Sequence, residues 1–327
     1  MTSDRPILRL GTRGSALALW QANHVADRIR SLAGAPDVEL VKIETEGDRI
    51  LDGPLSAVAG KAFFTKELET ALLDGRVDLA VHSFKDLATE MPAGLSVGAV
   101  LEREDPRDVL LAAGGGGLAS LPSGARVGTS SLRRRALVAR RRPDVELADL
   151  RGNVPTRIRK LDAGDYDAIV LAAAGVKRLA LEDRISAYLA PGELLPAAAQ
   201  GALAVQVREG DDDTAGWVRR LDHPPTRAAT TAERAFLREL EGGCQVPVGA
   251  LATIGEDGLS LAGVVCSLDG RRSVEDRRRG EPDAAESLGR ELAAALLARG
   301  AEDILAEVRG EAGRGRDAVR GPAEGTE

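Results

Sequence analysis

The residues best able to do chemistry stand in one short stretch, Leu240-Glu241-Gly242-Gly243-Cys244-Gln245-Val246-Pro247. Cys244 is one of only two cysteines. The Gly-Gly pair before it removes two side chains and frees the backbone to swing near a bulky group. Pro247 then discourages further helix. A thiol is thereby presented on a loop between a helical run, Thr226 to Glu241, and an extended one, Val246 to Ile254. Most free cysteines are small buried hydrophobes, so the local pattern leaves a packing role and a nucleophilic role both open. The other cysteine, Cys266, ends the strand-like run Leu261-Ala262-Gly263-Val264-Val265 and reads as packing.

Arginines offer a second chemistry, anion binding. In Gly128-Thr129-Ser130-Ser131-Leu132-Arg133-Arg134-Arg135 either serine is a good N-cap, which puts Arg133 and Arg134 in the first helical turn. Positive charge there opposes the helix dipole by about 0.3–1 kcal/mol each. An anion held jointly by helix N–H groups and guanidinium forks offsets that cost. Arg140, Arg141 and Arg142 sit at the other end of the same helix, where the dipole favours them, and read as a solvated face. Arg13 and Ser15 occupy the matching strand-to-helix turn of the first half, and Arg151 and Arg157 flank a further turn. Several arginines at strand ends point to a carboxylate- or phosphate-binding cleft. His82-Ser83-Phe84-Lys85-Asp86 follows the most apolar strand, so Lys85 and Asp86 emerge at its carboxyl end, where open α/β sheets bind ligands. Asp86 is either a capping residue or a general acid that hydrogen-bonds a cationic intermediate. His82 reads as a core histidine.

The elements that must position these groups follow from periodicity. Strands are expected at Ile7–Thr12, Val38–Thr45 and Val77–Ser83. Helices are expected at Ala16–Leu32, with Leu17, Trp20, His24 and Ile29 facing inward, and at Phe63–Leu73. Residues 46–62 are polar and Gly-rich without a period, which reads as a mobile loop. Weak matches then repeat the first half in order: Arg126-Val127-Gly128-Thr129 after Arg9-Leu10-Gly11-Thr12, Val145-Glu146-Leu147 after Val38-Glu39-Leu40, and Asp167-Ala168-Ile169-Val170 after Asp78-Leu79-Ala80-Val81. Two similar α/β halves with mostly parallel sheets are expected. Gln200 to Val207 reads as a strand crossing back to the first half. From Thr226 the order changes to helix, three strands (Val246–Ile254, Leu259–Ser267, Arg271–Arg278) and a helix at Ala284–Arg299, a smaller α+β unit. The expected domains are 1–103 with 200–220, 104–199, and 221–309, with a disordered tail at 310–327.

The totals narrow the function. Among 327 residues, 43% are apolar and only 2% aromatic, so the cores must be aliphatic. No apolar run is long enough for a membrane span, and residues 1–6 lack a secretory pattern. Two distant cysteines make no disulfide framework, and three scattered histidines make no zinc site. A reducing cytoplasm is the expected setting. The net charge of −7 and the scarcity of stacking aromatics argue against a nucleic-acid partner using the Arg133–Arg142 helix. A non-catalytic solute-binding module suits two hinged halves, but it leaves Cys244 and the third domain unexplained.

Five segments in order resemble the porphobilinogen deaminase (hydroxymethylbilane synthase) family: Thr12 to Gln21, Ala80 to Asp86, Gly128 to Arg134, Leu150 to Asn153, and Glu241 to Pro247. The resemblance implies two doubly wound domains like type II periplasmic binding proteins, plus a third domain whose cysteine, here Cys244, holds a dipyrromethane cofactor by a thioether. It implies an enzyme that condenses four porphobilinogen molecules with loss of ammonia and releases a linear tetrapyrrole by hydrolysis. Asp86 is then the catalytic candidate, a buried carboxylate stabilising the methylene-pyrrolenine cation. Arg13, Ser15, Phe64, Ser83, Lys85, Thr129, Ser130, Ser131, Arg133, Arg134, Arg151, Gly152, Arg157 and Gln200 are the expected cofactor and substrate contacts, Phe64 by stacking on a pyrrole. No metal, nucleic acid or membrane is implied, and a monomer is expected. Two positions depart from the family pattern: Ala57, where many relatives carry a basic residue, and Ala88, where proline is frequent.

Overall fold

The computed structural model describes residues 7–45, 65–240 and 246–319, with side chains to residue 310. The expectations for the 46–62 loop, Phe64 and Cys244 lie outside the described residues.

Three strands open the fold: β1 (Ile7–Thr12), β2 (Asp37–Lys42) and β3 (Leu79–Ser83). α1 (Ala16–Arg30) follows β1, capped by the Ser15 hydroxyl, which accepts the Ala18 N–H. α2 (Lys66–Leu73) precedes β3, and β4 (Leu95–Val100) follows it. The second set comprises β5 (Asp108–Ala112), β6 (Arg126–Gly128), α3 (Leu132–Arg141), β7 (Glu146–Ala148), α4 (Val154–Asp162), β8 (Ala168–Ala172), α5 (Ala173–Arg178) and β9 (Ala187–Leu189). β10 (Leu203–Arg208) and α6 (Asp212–Arg219) come next. Among the described residues two five-stranded sheets form, in the orders β2-β1-β3-β10-β4 and β7-β6-β8-β5-β9. In each, the first three strands are parallel and the fourth runs antiparallel to its neighbours.

The three sequence matches fall on β1 and β6, β2 and β7, and β3 and β8, so they mark equivalent strands of one repeated plan. The halves also exchange a strand. β10 enters the first sheet only after the chain has built the second, while β5 enters the second directly from the first. Two crossover segments therefore run side by side, Leu101 N–H donating to Leu203 O at 3.0 Å and Glu104 N–H to Gly201 O at 3.2 Å. Gly201 has φ +90°, and a Cβ there would meet Glu104 O at 2.3 Å. Only glycine permits that approach.

The third unit is an antiparallel sheet of β11 (Val248–Gly255), β12 (Gly258–Cys266) and β13 (Ser273–Gly280), covered by α7 (Pro224–Glu239) and α8 (Ala285–Leu296). Phe236, Leu261, Leu292 and Leu305 lie in its aliphatic core. Cys266 instead joins the core of the second unit beside Leu110, Ala136 and Leu137, and burial raises its thiol to about 11. It is a packing residue.

Three expectations are corrected. The inner face of α1 is Ala22, Val25, Ala26 and Ile29, not Leu17, Trp20 and His24. The latter three lie on a second face of the helix: Trp20 stacks on His24 at 5.1 Å, and the Arg178 guanidinium of α5 lies 5.6 Å from the indole. Arg140, Arg141 and Arg142 do not form a solvated face. Arg140 makes two 3.1 Å bonds to Glu275 of the third unit, Arg141 donates to Gly192 O, and Arg142 donates to Leu118 O and Leu121 O. Of the tail expected to be disordered from 310, the part up to Val319 belongs to α9 (Glu302–Val319), and residues 320–327 lie outside the described residues. Ile304, Leu305 and Val308 are buried in the first half of α9, and Ile304 and Leu305 anchor the helix to the third unit.

One carboxylate joins the three units. Glu233 of α7 is fully buried and takes Arg103 bidentately at 2.6 and 3.1 Å. It also accepts the N–H groups of Ala199 at 2.6 Å and Ala252 at 2.7 Å. Ala199 is held at φ +59°, a conformation disfavoured for a residue with a Cβ. Glu233→Ala strands a buried guanidinium and two buried amides. It is expected to lower unfolding stability by about 3–5 kcal/mol, measured by urea denaturation; a loss below about 1 kcal/mol would mean that other contacts carry the junction.

Candidate functional site

The carboxyl ends of β1 and β3 face those of β6 and β8 across the crossover segments, and the candidate residues gather there. Lys85 and Asp86 lie on a one-turn 3₁₀ segment, Phe84–Asp86, directly after β3. That turn is clasped from the third unit. Arg234 of α7 lies over the Phe84 ring at 4.3 Å and donates to Leu87 O at 3.1 Å and to Ala88 O. The helix that clasps it ends at Leu240, immediately before the segment containing Cys244.

Arg133 and Arg134 occupy the first turn of α3, as their spacing requires, with the Ser131 hydroxyl accepting the Arg134 N–H. Their counter-anion is internal. Asp108, the fully buried first residue of β5, takes Arg133 Nη1 at 2.7 Å on one oxygen and Arg134 Nη2 at 2.8 Å and Nε at 3.1 Å on the other. Arg133 Nη1 also donates to Leu195 O, and Arg134 Nη1 to Val170 O. Both guanidiniums therefore have protein partners, which the sequence pattern did not suggest. Arg134 spends Nε, Nη1 and Nη2 on Asp108 and Val170, whereas Arg133 keeps a buried Nε with no partner among the described residues. Burial alone would raise the Asp108 carboxyl, but the two guanidiniums hold it well below the usual carboxylate range.

Gln200 extends this array to the first unit. Its amide donates to Asp108 Oδ1 at 2.9 Å and to Pro106 O at 2.8 Å, and its oxygen accepts Lys85 Nζ at 3.1 Å. Lys85 is half-exposed to the cleft but crowded. Burial lowers its ammonium to about 8, with Arg134 and Arg133 adding to the fall and Asp86 and Asp108 resisting it. Arg157 is lowered to about 10 by burial and by Arg134 and Arg151, against the pull of Asp86. Its Nε donates to Gly152 O at 2.7 Å. Gly152 sits at φ +108° with no room for a Cβ beside Thr156, so its place is structural as well as local to the site. Arg151 is half-buried, with no ion pair among the described residues. Lys85, Arg133, Arg134, Arg151 and Arg157 thus gather around the carboxylates Asp86 and Asp108.

Asp86 is exposed rather than buried. It stands on a turn at the mouth of the cleft, left open by the described residues. Arg13 follows β1 on the same rim, close enough to His82 to disfavour its protonation. The hydroxyls named as contacts are each tied into turns. Ser15 and Ser131 cap helices, Ser130 exchanges two 3.0 Å bonds with Leu150, and Thr129 accepts the Ser131 N–H. Ser83 accepts Gln21 Nε2 at 2.8 Å.

Asp108, Gln21 and Arg178 were missed. Arg178 is buried, donates to Gly201 O and is lowered to about 10 by burial. The one available signal for Asp108 was a charged residue opening the apolar run Val109-Leu110-Leu111. Among the described residues no cluster of three His, Cys, Asp or Glu side chains is placed to hold a metal ion, and no helix is long and apolar enough to cross a membrane.

Two family models match the chain. Residues 8–216 match "Porphobilinogen deaminase, dipyromethane cofactor binding domain" and residues 228–298 match "Porphobilinogen deaminase, C-terminal domain". The porphobilinogen deaminase of Moorella thermoacetica is 52% identical over 307 residues, covering 94% of this chain and 98% of its own. That of Syntrophomonas wolfei is 52% identical over 302 residues, covering 92% and 99%. Among solved structures, the methionine-binding protein MetQ aligns with a TM-score of 0.42 at 12% identity, covering 66% of this chain and 89% of that one.

His82, the core residue under this site, is buried with its Nε2 unpartnered among the described residues. Burial depresses its pKa to about 4 from 6.5. The unfolded chain takes up the proton first as pH falls, so stability is full above 6.5 and declines toward 4. The expected loss is about 3 kcal/mol. Urea unfolding across that window should show a slope that flattens in His82→Gln, leaving the same-signed part from His24, whose pKa burial also lowers. An unchanged slope would exclude His82 as its main source.

Proposed function

Because the chain belongs to the porphobilinogen deaminase family, we propose that it condenses four porphobilinogen molecules head to tail, expelling ammonia at each step, and releases hydroxymethylbilane, a transferase activity. The observation that carries this reading is the excess of cations over carboxylates in the cleft. Porphobilinogen bears acetate and propionate groups, so the growing chain is a polyanion. Guanidinium forks suit such a ligand better than point charges. Burial and mutual repulsion depress Lys85 and Arg157, a cost that incoming carboxylates relieve.

The donor set fits a dipyrromethane group. Among the described residues Arg133 Nε is a buried donor with no acceptor, and Arg151, beside Arg157, makes no ion pair. Arg133, Arg151, Arg157, Lys85 and Arg13 would hold its carboxylates, and Cys244 would carry it as a thioether. That bond is not undone by cytosolic thiols as a disulfide would be. When bound, the group supplies the nucleophilic pyrrole carbon from which elongation starts.

The chain's own residues do the rest. Loss of ammonia from porphobilinogen leaves a methylene-pyrrolenine cation. Asp86 is the carboxylate available to meet it, since Asp108 is fully committed to Arg133, Arg134 and Gln200. Seated substrate would exclude water from the open mouth and strengthen the attraction between Asp86 and the pyrrole N–H groups. Lys85 and Arg157 flank Asp86. Ser83, Thr129, Ser130 and Ser131 hold the turns that aim these groups. Arg178 would add a further carboxylate contact. We place the activity in the cytoplasm, since the mechanism needs a free thiol, and take the enzyme to act as a monomer.

The intact mass of purified protein should exceed the sequence mass by two linked pyrrole units, and Cys244→Ser should lack the excess. A protein that stays unmodified even after incubation with hydroxymethylbilane would sink the proposal. Asp86→Asn should retain the mass excess yet lose at least about 10²-fold in turnover. Near-normal turnover in that variant would remove Asp86 from the chemistry.

A further inference from the structure

The cations of the cleft come from separate parts of the fold. Lys85 follows β3 of the first sheet, whereas Arg133 and Arg134 begin α3 beside the second. Like charges do not gather unaided, and the described structure supplies the group that gathers them. Asp108 is reached by both guanidiniums and by the Gln200 amide, and the opposite end of that amide accepts Lys85. Asp108 opens β5 at the end of one crossover segment, and Gln200 lies in the other.

We propose that Asp108 is a positioning residue of the reaction cleft, fixing Arg133 and Arg134 directly and the Lys85 ammonium through Gln200, so that the ligand's carboxylates meet a preassembled array spanning both sheets. Asp108 touches neither substrate nor cofactor in this scheme. All of its accepting positions used here face the protein. Its single charge neutralises part of the array and leaves the excess that a polyanion needs. Gln200 suits the relay because an amide accepts at one end and donates at the other without adding charge. A carboxylate there would repel Asp108, and an ammonium would find no acceptor role toward Lys85.

The inference rests on the reading of this cleft as the polyanion site, but its main test does not need turnover. Among the described residues, groups that act on Lys85 include Asp86 from its own turn, Asp108 from β5, Arg133 and Arg134 from α3, and the Gln200 oxygen. In the full-length holoenzyme, competitive acetylation of Lys85 with acetic anhydride, read by peptide mass spectrometry against pH, should give a midpoint above the unliganded value of about 8, because the cofactor's carboxylates favour the ammonium. Gln200→Met removes the acceptor for the charged amine and should lower the midpoint by about one pH unit. Asp108→Asn removes the nearby negative charge and should lower it as well. The Gln200 variant should raise KM for porphobilinogen about tenfold while kcat changes by less than about threefold, as expected when ground-state and transition-state binding weaken together. If Asp108→Asn does not fold, Gln200→Met decides the matter alone. A folded Gln200→Met protein with an unchanged midpoint and unchanged KM overturns the inference, leaving both residues as packing groups. Wild-type protein that forms no tetrapyrrole would overturn the functional reading instead, and the acetylation midpoints would still decide the positioning claim.

Discussion

A site for a polyanion must hold several cations close together before the ligand arrives, and this electrostatic constraint organises the molecule. Burial lowers Lys85, Arg133 and Arg157, and neighbouring guanidiniums add to the fall: Arg134 and Arg133 at Lys85, Arg134 at Arg133, and Arg134 and Arg151 at Arg157. Buried charges persist only when paired or otherwise compensated. The fold provides one buried carboxylate, Asp108, and meets the remaining demand with carbonyls: Leu195 for Arg133, Val170 for Arg134, Gly152 for Arg157 and Gly201 for Arg178. Carbonyl dipoles compensate without cancelling net charge. The cleft therefore stays cationic in a protein whose overall charge is −7.

The strand exchange between the sheets serves the same end. Because β5 and β10 are each delivered from the opposite half, both crossover segments pass through the space between the sheets. They carry Arg103, Asp108 and Gln200 to the point where the strand ends converge. A simple tandem of two closed domains would leave that space to solvent. The third unit then locks it. On α7, Glu233 holds the crossover segments and Arg234 holds the turn bearing Lys85 and Asp86. Adjacent residues of one helix thus orient both walls, and the same helix leads directly toward Cys244.

The two aspartates illustrate how environment assigns roles. Asp108 is buried, saturated with donors and fixed in its ionised form, so it is suited to hold structure. Asp86 is open and has few protein partners, so its attraction remains available to a cation formed on substrate. Removing water matters more for Asp86, because its interactions strengthen as the local dielectric falls.

Much of the architecture was legible in the residues. The apolar run ending at Ser83, the caps Ser15 and Ser131, and the in-order echoes of β1, β2 and β3 are local signals, since periodicity and capping act within a few residues. So are the cations at strand ends. Tertiary structure decided where those cations spend their hydrogen bonds. Arg133 meets an aspartate 25 positions away, and Lys85 meets a glutamine 115 positions away. No local pattern encodes such pairs. The outward face of Trp20 and His24 was misread for the same reason: they lie on a face beside α5, and periodicity in one helix does not report which neighbour will cover a second face. Composition and spacing determined that this chain would gather arginines at the ends of parallel strands. Only the folded arrangement decided which of them remain available to a ligand, because a guanidinium's partners depend on atoms brought together by the fold rather than by the chain.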